Sequence, residues 1–136
     1  MKKTVKIITV MLCVIGIATM SGCKKDEEEN EAKYTFRTDM TFLGYEGYEP
    51  DYYYILFECD QSGSKIKNNR IEPVIKGKEY TFTADKNATK VKVYYHYSVS
   101  TLYSTTKWVQ QVFTLEKGKN TPIVLNGETL VGVKEP

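Results

Sequence analysis

A period-two alternation of apolar and polar residues is the feature that most limits how this chain can fold. It is longest from Lys90 to Val99, where one set of alternate positions is apolar and the other is mostly polar. The two sets are Val91, Val93, Tyr95, Tyr97 and Val99, and Lys92, Tyr94, His96 and Ser98. Because successive side chains of a β-strand point to opposite faces, this segment is predicted to be a strand with the first set in the core.

Other segments show a similar or weaker alternation, at 34–42, 52–59, 65–75, 79–83, 107–115, 121–125 and 129–133. Residues suited to tight turns separate them, and Asn126-Gly127 is the sharpest, since both residues accept the positive φ of a type I′ hairpin. No segment after the charged stretch near residue 30 keeps an apolar period of 3.6. The sequence therefore predicts an all-β fold, a single seven- or eight-stranded antiparallel β-sandwich of immunoglobulin-like or transthyretin-like type.

The amino-terminal segment has the organisation of a secretory signal. Three lysines lie within the first six residues, and the apolar run that follows is too short to span a hydrocarbon core as an untilted helix. The run ends at Met20-Ser21-Gly22-Cys23, which resembles the lipobox of bacterial lipoproteins. The resemblance implies cleavage before Cys23 and lipid attachment to its thiol. The alternative is an ordinary cleaved signal followed by a chance cysteine.

Three regions are therefore predicted: a signal peptide over 1–22, a lipidated Cys23 with a charged tether over 23–33, and a β-sandwich domain over 34–136. The tether is too polar to bury, and two or more acyl chains hold a protein stably on a membrane. Its central residues, Lys25, Asp26, Glu27, Glu28 and Glu29, resemble the export signal of Bacteroidota lipoproteins. That resemblance implies an outer-membrane protein that faces the cell exterior. The alternative is a plain solvated linker, with the domain on the periplasmic face.

Charge argues against a nucleic-acid partner, and cysteine content argues against an intramolecular disulfide. Without the lysines of the signal, 16 Lys and Arg face 17 Asp and Glu, and no basic stripe is present, so no nucleic-acid partner is expected. Cys13 leaves with the signal and Cys23 carries the lipid, which leaves Cys59 with no partner for an intramolecular disulfide. Cys59 ends an alternating stretch and is predicted to be buried in the core; an intermolecular bond is the alternative.

Sequence motifs for catalysis and metal binding are missing. His96 is the only histidine and falls on the polar face of its strand, with no nucleophile motif or metal-ligand spacing around it. The carboxylates Glu46, Glu49 and Asp51 share one loop, but they lack the regular spacing of an EF-hand. We therefore expect no catalytic residue, no metal and no cofactor other than the covalent lipid on Cys23.

Two segments are candidates for ligand binding. The first is a loop rich in tyrosine and glycine, in which Tyr45, Tyr48, Glu49 and Asp51 combine large amphipathic rings with carboxylates. The second is a hydroxyl-rich connection from Ser98 to Thr106, with Leu102 and Tyr103 near its middle. In each case the alternative is that the large side chains pack back onto the sandwich.

The expected function is a lipid-anchored, non-catalytic, surface-exposed binding or assembly module of the outer membrane, with a protein or glycan partner. The resemblance to small Bacteroidota lipoproteins rests on the signal, the lipobox and the acidic tether, while the fold itself licenses no activity. Two alternatives stay open: a periplasm-facing inhibitor or immunity lipoprotein, and a structural component of the envelope. Trp108 stands in a segment whose two faces are not separated, so its orientation is left open.

Overall fold

The computed structural model describes residues 30–42, 47 and 49–136, and these form two β-sheets that pack together. The strands in chain order are β1 (Lys33–Thr38), β2 (Asp51–Cys59), β3 (Lys65–Ile71), β4 (Tyr80–Thr83), β5 (Lys90–Ser100), β6 (Tyr103–Val109), β7 (Phe113–Thr114), β8 (Asn120–Leu125) and β9 (Val131–Gly132). Within the described ranges every regular element is a strand. The prediction of an all-β sandwich is confirmed, with nine strands in place of seven or eight.

The sheets differ in size and in pairing. The smaller sheet has the order β4-β1-β8, and the larger has the order β3-β2-β5-β6-β9, with β7 on the start of β5. All pairs are antiparallel except β1 with β8, which run parallel from Lys33 beside Asn120 to Thr38 beside Leu125. The first two strands lie in different sheets, whereas they are neighbours in the constant-type immunoglobulin order.

The core forms where the alternating apolar positions of both sheets meet. Its fully buried members include Tyr34, Phe36, Tyr54, Leu56, Val91, Val93, Val109, Ile123 and Leu125. The face predicted for β5 is confirmed for its first three apolar residues, which are buried, and Tyr97 packs against them, whereas Val99 is half-buried and lies outside the core cluster. Phe42, beyond the end of β1, covers the rings of Tyr52, Tyr95 and Tyr97 at 4.7 to 5.5 Å between ring centroids. Phe42 thereby covers the part of the larger sheet that extends past the smaller sheet.

Several strand boundaries differ from those expected. The stretch 107–115 was expected to be one strand, but the chain leaves the sheet at Gln110 and returns at Phe113, so that it splits into the end of β6 and β7. The folded part also begins slightly before residue 34. Ala32 is buried, and its carbonyl accepts a hydrogen bond of 2.8 Å from the Ala84 amide. The last residues assigned to the tether therefore belong to the sandwich.

The prediction of a type I′ hairpin at Asn126-Gly127 is wrong. β8 pairs with β1 and β9 pairs with β6, so the segment between them crosses from one sheet to the other. The turn is closed by the Thr129 amide, which donates to the Asn126 carbonyl at 3.1 Å, and by the Glu128 amide, which donates to the Asn126 side chain at 2.8 Å. Asn126 thus acts through its side chain, as Asn commonly does in turns.

One polar network lies inside the sandwich, around Glu58. Its side chain is fully buried and accepts hydrogen bonds from the Tyr34 hydroxyl at 2.6 Å, from the Asp85 amide at 2.8 Å and from the Asn69 amide group at 3.2 Å. Asn69 also donates to the Tyr34 hydroxyl. Burial, helped by the neighbouring Glu58, raises the pKa of Tyr34 well above its usual range. The network ties β1, β2, β3 and the loop after β4 together.

The two ends of the sandwich are distinct. The described chain enters at Asn30, beside an open cavity of about 310 Å³ between the loops before β5 and before β8. Gly118 donates to the Glu31 carbonyl at 3.0 Å, which fixes the entering chain to this end. We name it the proximal end. The opposite, distal end holds the start of β2 and the turn between β5 and β6, since Asp51 pairs with Ser98.

Several predicted residues lie outside the described residues. They are the signal peptide, Cys23, the export-signal residues Lys25, Asp26, Glu27, Glu28 and Glu29, and the loop tyrosines Tyr45 and Tyr48. The predictions made for them stay predictions.

Candidate functional site

The distal end carries the most exposed apolar side chains near any predicted site. Leu102 is 95% exposed and Tyr103 is 53% exposed. Leu102 lies in the tight turn between β5 and β6, where its amide donates to the Ser100 hydroxyl at 3.2 Å, and Tyr103 begins β6. The alternative that these side chains fold back onto a sheet is wrong. Because burying a leucine side chain stabilises by roughly 1.5–3 kcal/mol, its full exposure leaves that free energy available to a partner.

The strands explain why the tip projects. β5 has eleven residues, while β1 of the facing sheet has six, so the β5–β6 ribbon extends past the facing sheet. A register shift between Ser98 and Ser100 interrupts the pairing with β6 just before the turn. Such bulges twist a ribbon and redirect the side chains beyond them. Leu102 lies in the turn itself and Tyr103 follows as the first residue of β6, and both side chains stay exposed there.

Two carboxylates of the predicted site lie at the same end. Asp51 begins β2, is exposed, and lies opposite Ser98, which in turn lies opposite Ser104 of β6. Glu49 is exposed just before it. The structure therefore brings Asp51 to the strand row next to the tip. We name Glu49, Asp51, Leu102 and Tyr103 together the distal tip.

A second surface, which sequence reasoning did not single out, is the outer face of the larger sheet. Its half-buried rings are those of Tyr53, Phe57, Tyr94, His96 and Trp108, which we name the aromatic face. Tyr94 and Trp108 are directly opposed on β5 and β6, with ring centroids 5.0 Å apart. His96 stacks on Tyr53 at 5.2 Å. Trp108 thus points away from the core, and the histidine is packed as well as outward-facing.

Cations cover three of these five rings. The Lys65 ammonium lies 5.0 Å from the ring centroid of Phe57 and 5.1 Å from that of Trp108. The Arg70 guanidinium lies 3.8 Å from the ring of Tyr53 and is held by Glu72 at 2.6 Å. A cation on the face of an aromatic ring is attracted by the ring quadrupole. The aromatic face is therefore already occupied by the chain's own side chains, unlike the distal tip.

The signal for this second surface was present in the alternation. In β2, Tyr53 and Phe57 alternate with the buried Tyr54, Leu56 and Glu58, so both faces of that strand carry large residues. Tyr54 is fully buried, while the neighbouring Tyr53 lies on the outer face. The outward aromatic row can be recognised only from the register of β2 against β5 and of β5 against β6.

Cys59 is fully buried, as predicted, but in a different place. It is not a member of the hydrophobic core cluster, and the charged groups around it are Lys92, Glu135, Lys65 and Asp60. Burial raises the pKa of its thiol. Cys59 continues the outward row of Tyr53 and Phe57 in β2, so its thiol lies on the outer side of the larger sheet, where other residues cover it.

Two further observations concern the described residues alone. No group of three or more His, Cys, Asp and Glu side chains suited to a metal ion occurs among them. The same residues include no helix with the length and apolarity needed to cross a membrane. Any functional assignment rests on the geometry of the site, because comparison with family models, curated proteins and solved structures finds no match for this chain.

Proposed function

We propose that this chain is a lipid-anchored, non-catalytic binding or assembly module of the outer membrane, displayed toward the cell exterior, which contacts a protein partner through its distal tip. The observation that carries the proposal is the 95% exposure of Leu102 at the end opposite the entry of the chain. A lipid at Cys23 would hold the proximal end near the bilayer. The tip would then point away from it.

The chemistry of the tip favours a protein over a glycan. Leu102 is aliphatic and gains by burial against apolar surface, whereas sugar recognition relies on open aromatic faces and hydrogen bonds. The rings best suited to stacking lie on the aromatic face, where Lys65 and Arg70 cover them. The flanking tyrosine offers a contact of large area at a low cost in entropy. A glycan partner is therefore the less favoured outcome of the tests below.

Display is tested by protease accessibility of an epitope-tagged full chain on intact cells. The comparison is a variant with Asp26, Glu27, Glu28 and Glu29 changed to Ala. Digestion on intact cells that is lost in the variant supports export through the acidic tether. Protection of both proteins contradicts surface display and favours the periplasmic inhibitor or structural roles.

The contact surface is tested by a photo-crosslinking residue placed at Leu102 in cells. A matched control carries the same residue at Thr83, which is exposed on the smaller sheet near the proximal end. A discrete protein adduct from position 102 that is absent from position 83 is the expected result. Adducts of equal yield from both positions, or none from position 102, contradict the role of the tip.

A further inference from the structure

The segment that follows β9 lies across the outer face of the larger sheet. The two carboxylate oxygens of Glu135 accept hydrogen bonds of 3.0 Å from different lysines, Lys65 of β3 and Lys92 of β5. These strands flank β2, so the carboxylate sits above the strand between them. Gln110 holds the backbone of the same segment, since its side-chain amide donates to the Lys134 carbonyl at 2.9 Å. We name Val133–Pro136 the strap.

One member of the lysine pair is largely buried, while the side chains of Lys65 and Glu135 are 41% and 35% exposed. The Lys92 side chain is only 12% exposed, and Lys65 lies against the rings of Phe57 and Trp108. Hydrogen bonds from Lys92 and Lys65 lower the pKa of Glu135. A cation as covered as Lys92 is costly to leave without a counter-charge, so this position requires an anion.

The strap lies near a buried thiol. Cys59 is fully buried although it stands on the outer side of the sheet, and Glu135 and both lysines are among its charged neighbours. By contrast, the strap residue Val133 is 76% exposed and contributes little burial of its own. The strap is therefore held mainly by polar contacts that another carboxylate could replace.

We propose that Lys65 and Lys92 form a binding site for the carboxylate of an acidic peptide segment of a partner protein, and that Glu135 occupies this site in the free chain as a releasable strap. The ligand class follows from the occupant, which is a glutamate in a peptide held by one main-chain contact and two ammonium groups. Release of the strap frees the Lys65 ammonium, which lies over the rings of Phe57 and Trp108, and removes Glu135 from the neighbourhood of Cys59. The site is separate from the distal tip, and the proposal does not depend on it.

Strap closure is tested by thiol modification of Cys59 in the folded full chain, read from the mass of the peptide that contains it. Glu135→Gln keeps the side-chain volume and removes the charge, and Glu128→Gln is the matched control in the exposed loop before β9. We expect Cys59 in Glu135→Gln to react at least about tenfold faster than in the wild type, because charge-assisted hydrogen bonds are lost. Equal rates in all three proteins overturn the strap.

The ligand class is tested on a chain that ends at Val133, with the acetylated and amidated peptide Lys-Glu-Pro as the probe. At millimolar concentration it should slow Cys59 modification and change the fluorescence of Trp108, whereas Lys-Gln-Pro should do neither. Lys65→Met should abolish both effects. Protection by the two peptides alike overturns carboxylate recognition. If the wild type dimerises and Glu135→Gln does not, the occupant is a second copy, and the partner peptide is overturned.

Discussion

Glu58 is a fully buried carboxyl group whose hydrogen-bond donors come from three parts of the chain. A buried acceptor that loses a donor costs about 1–3 kcal/mol. We therefore predict that Tyr34→Phe, which removes the 2.6 Å donor and little volume, lowers the free energy of unfolding by about 1–3 kcal/mol. The measurement is urea denaturation followed by circular dichroism.

Tyr103→Phe is the matched control for that prediction. It removes the same hydroxyl from a ring that is 53% exposed, so the change in stability should stay within about 0.5 kcal/mol. Equal effects of the two substitutions would mean that the hydroxyl at Tyr34 adds nothing beyond its ring.

Tyr95 makes stability depend on alkaline pH. Burial, and then the neighbouring Tyr97, raise its pKa to about 12, against about 10 in the unfolded chain. Between these values the folded state holds the proton that the unfolded state has lost, so stability falls as pH rises. The contribution is fully present below pH 10 and is lost by about pH 12. We predict that Tyr95→Phe shows a shallower fall than the wild type when urea midpoints are compared from pH 9 to 12. Parallel curves would refute this.

At the scale of the element, β8 shows how strictly the alternation divides a strand. Ile123 is fully buried between the sheets, while the next residue, Val124, is 42% exposed on the other face. We predict that Ile123→Ala lowers the free energy of unfolding by about 2–5 kcal/mol and that Val124→Ala changes it by about 0.5 kcal/mol. Similar losses at both positions, measured by urea denaturation, would contradict the register of β8 against β1.

The alternation was enough to predict most strands but not how they pair. β2 and β5 lie within one residue of their predicted ends, because long runs of period two leave no alternative structure. The hairpin expected at Asn126-Gly127 failed because turn chemistry is local, whereas β8 is drawn to β1 by pairing across the whole chain. The split near Gln110 has the same origin, since β7 pairs with the start of β5.

The candidate site was also predictable only in part. Leu102 and Tyr103 were identified from their composition, since apolar residues in a hydroxyl-rich connection suggest an exposed tip, and the structure leaves them exposed. The lysine pair that holds Glu135 was not foreseeable. Lys65 and Lys92 are distant in sequence and become neighbours only through the order β3-β2-β5, while Glu135 reaches them from beyond β9.

At the scale of the whole molecule, the direction of β1 and β5 relates the entry of the chain to the tip. β5 starts beside the entry loops and rises about 3.3 Å per residue over eleven residues, so its far end lies about 33 Å away. The predicted lipid at Cys23 precedes Asn30 by a stretch of chain that reaches at most about 25 Å. Anchoring through it would therefore hold the proximal end closer to the bilayer than the tip.

This arrangement predicts a gradient of membrane proximity along the sandwich. In the lipidated full chain on vesicles, a fluorophore on Lys117→Cys at the proximal end should be quenched by a headgroup-attached quencher more strongly than one on Leu102→Cys. Buried Cys59 leaves the wild type as an unlabelled control. Stronger quenching at position 102 would show that the exposed leucine contacts lipid. The partner of the tip would then be the membrane itself, and outward presentation to a protein would be refuted.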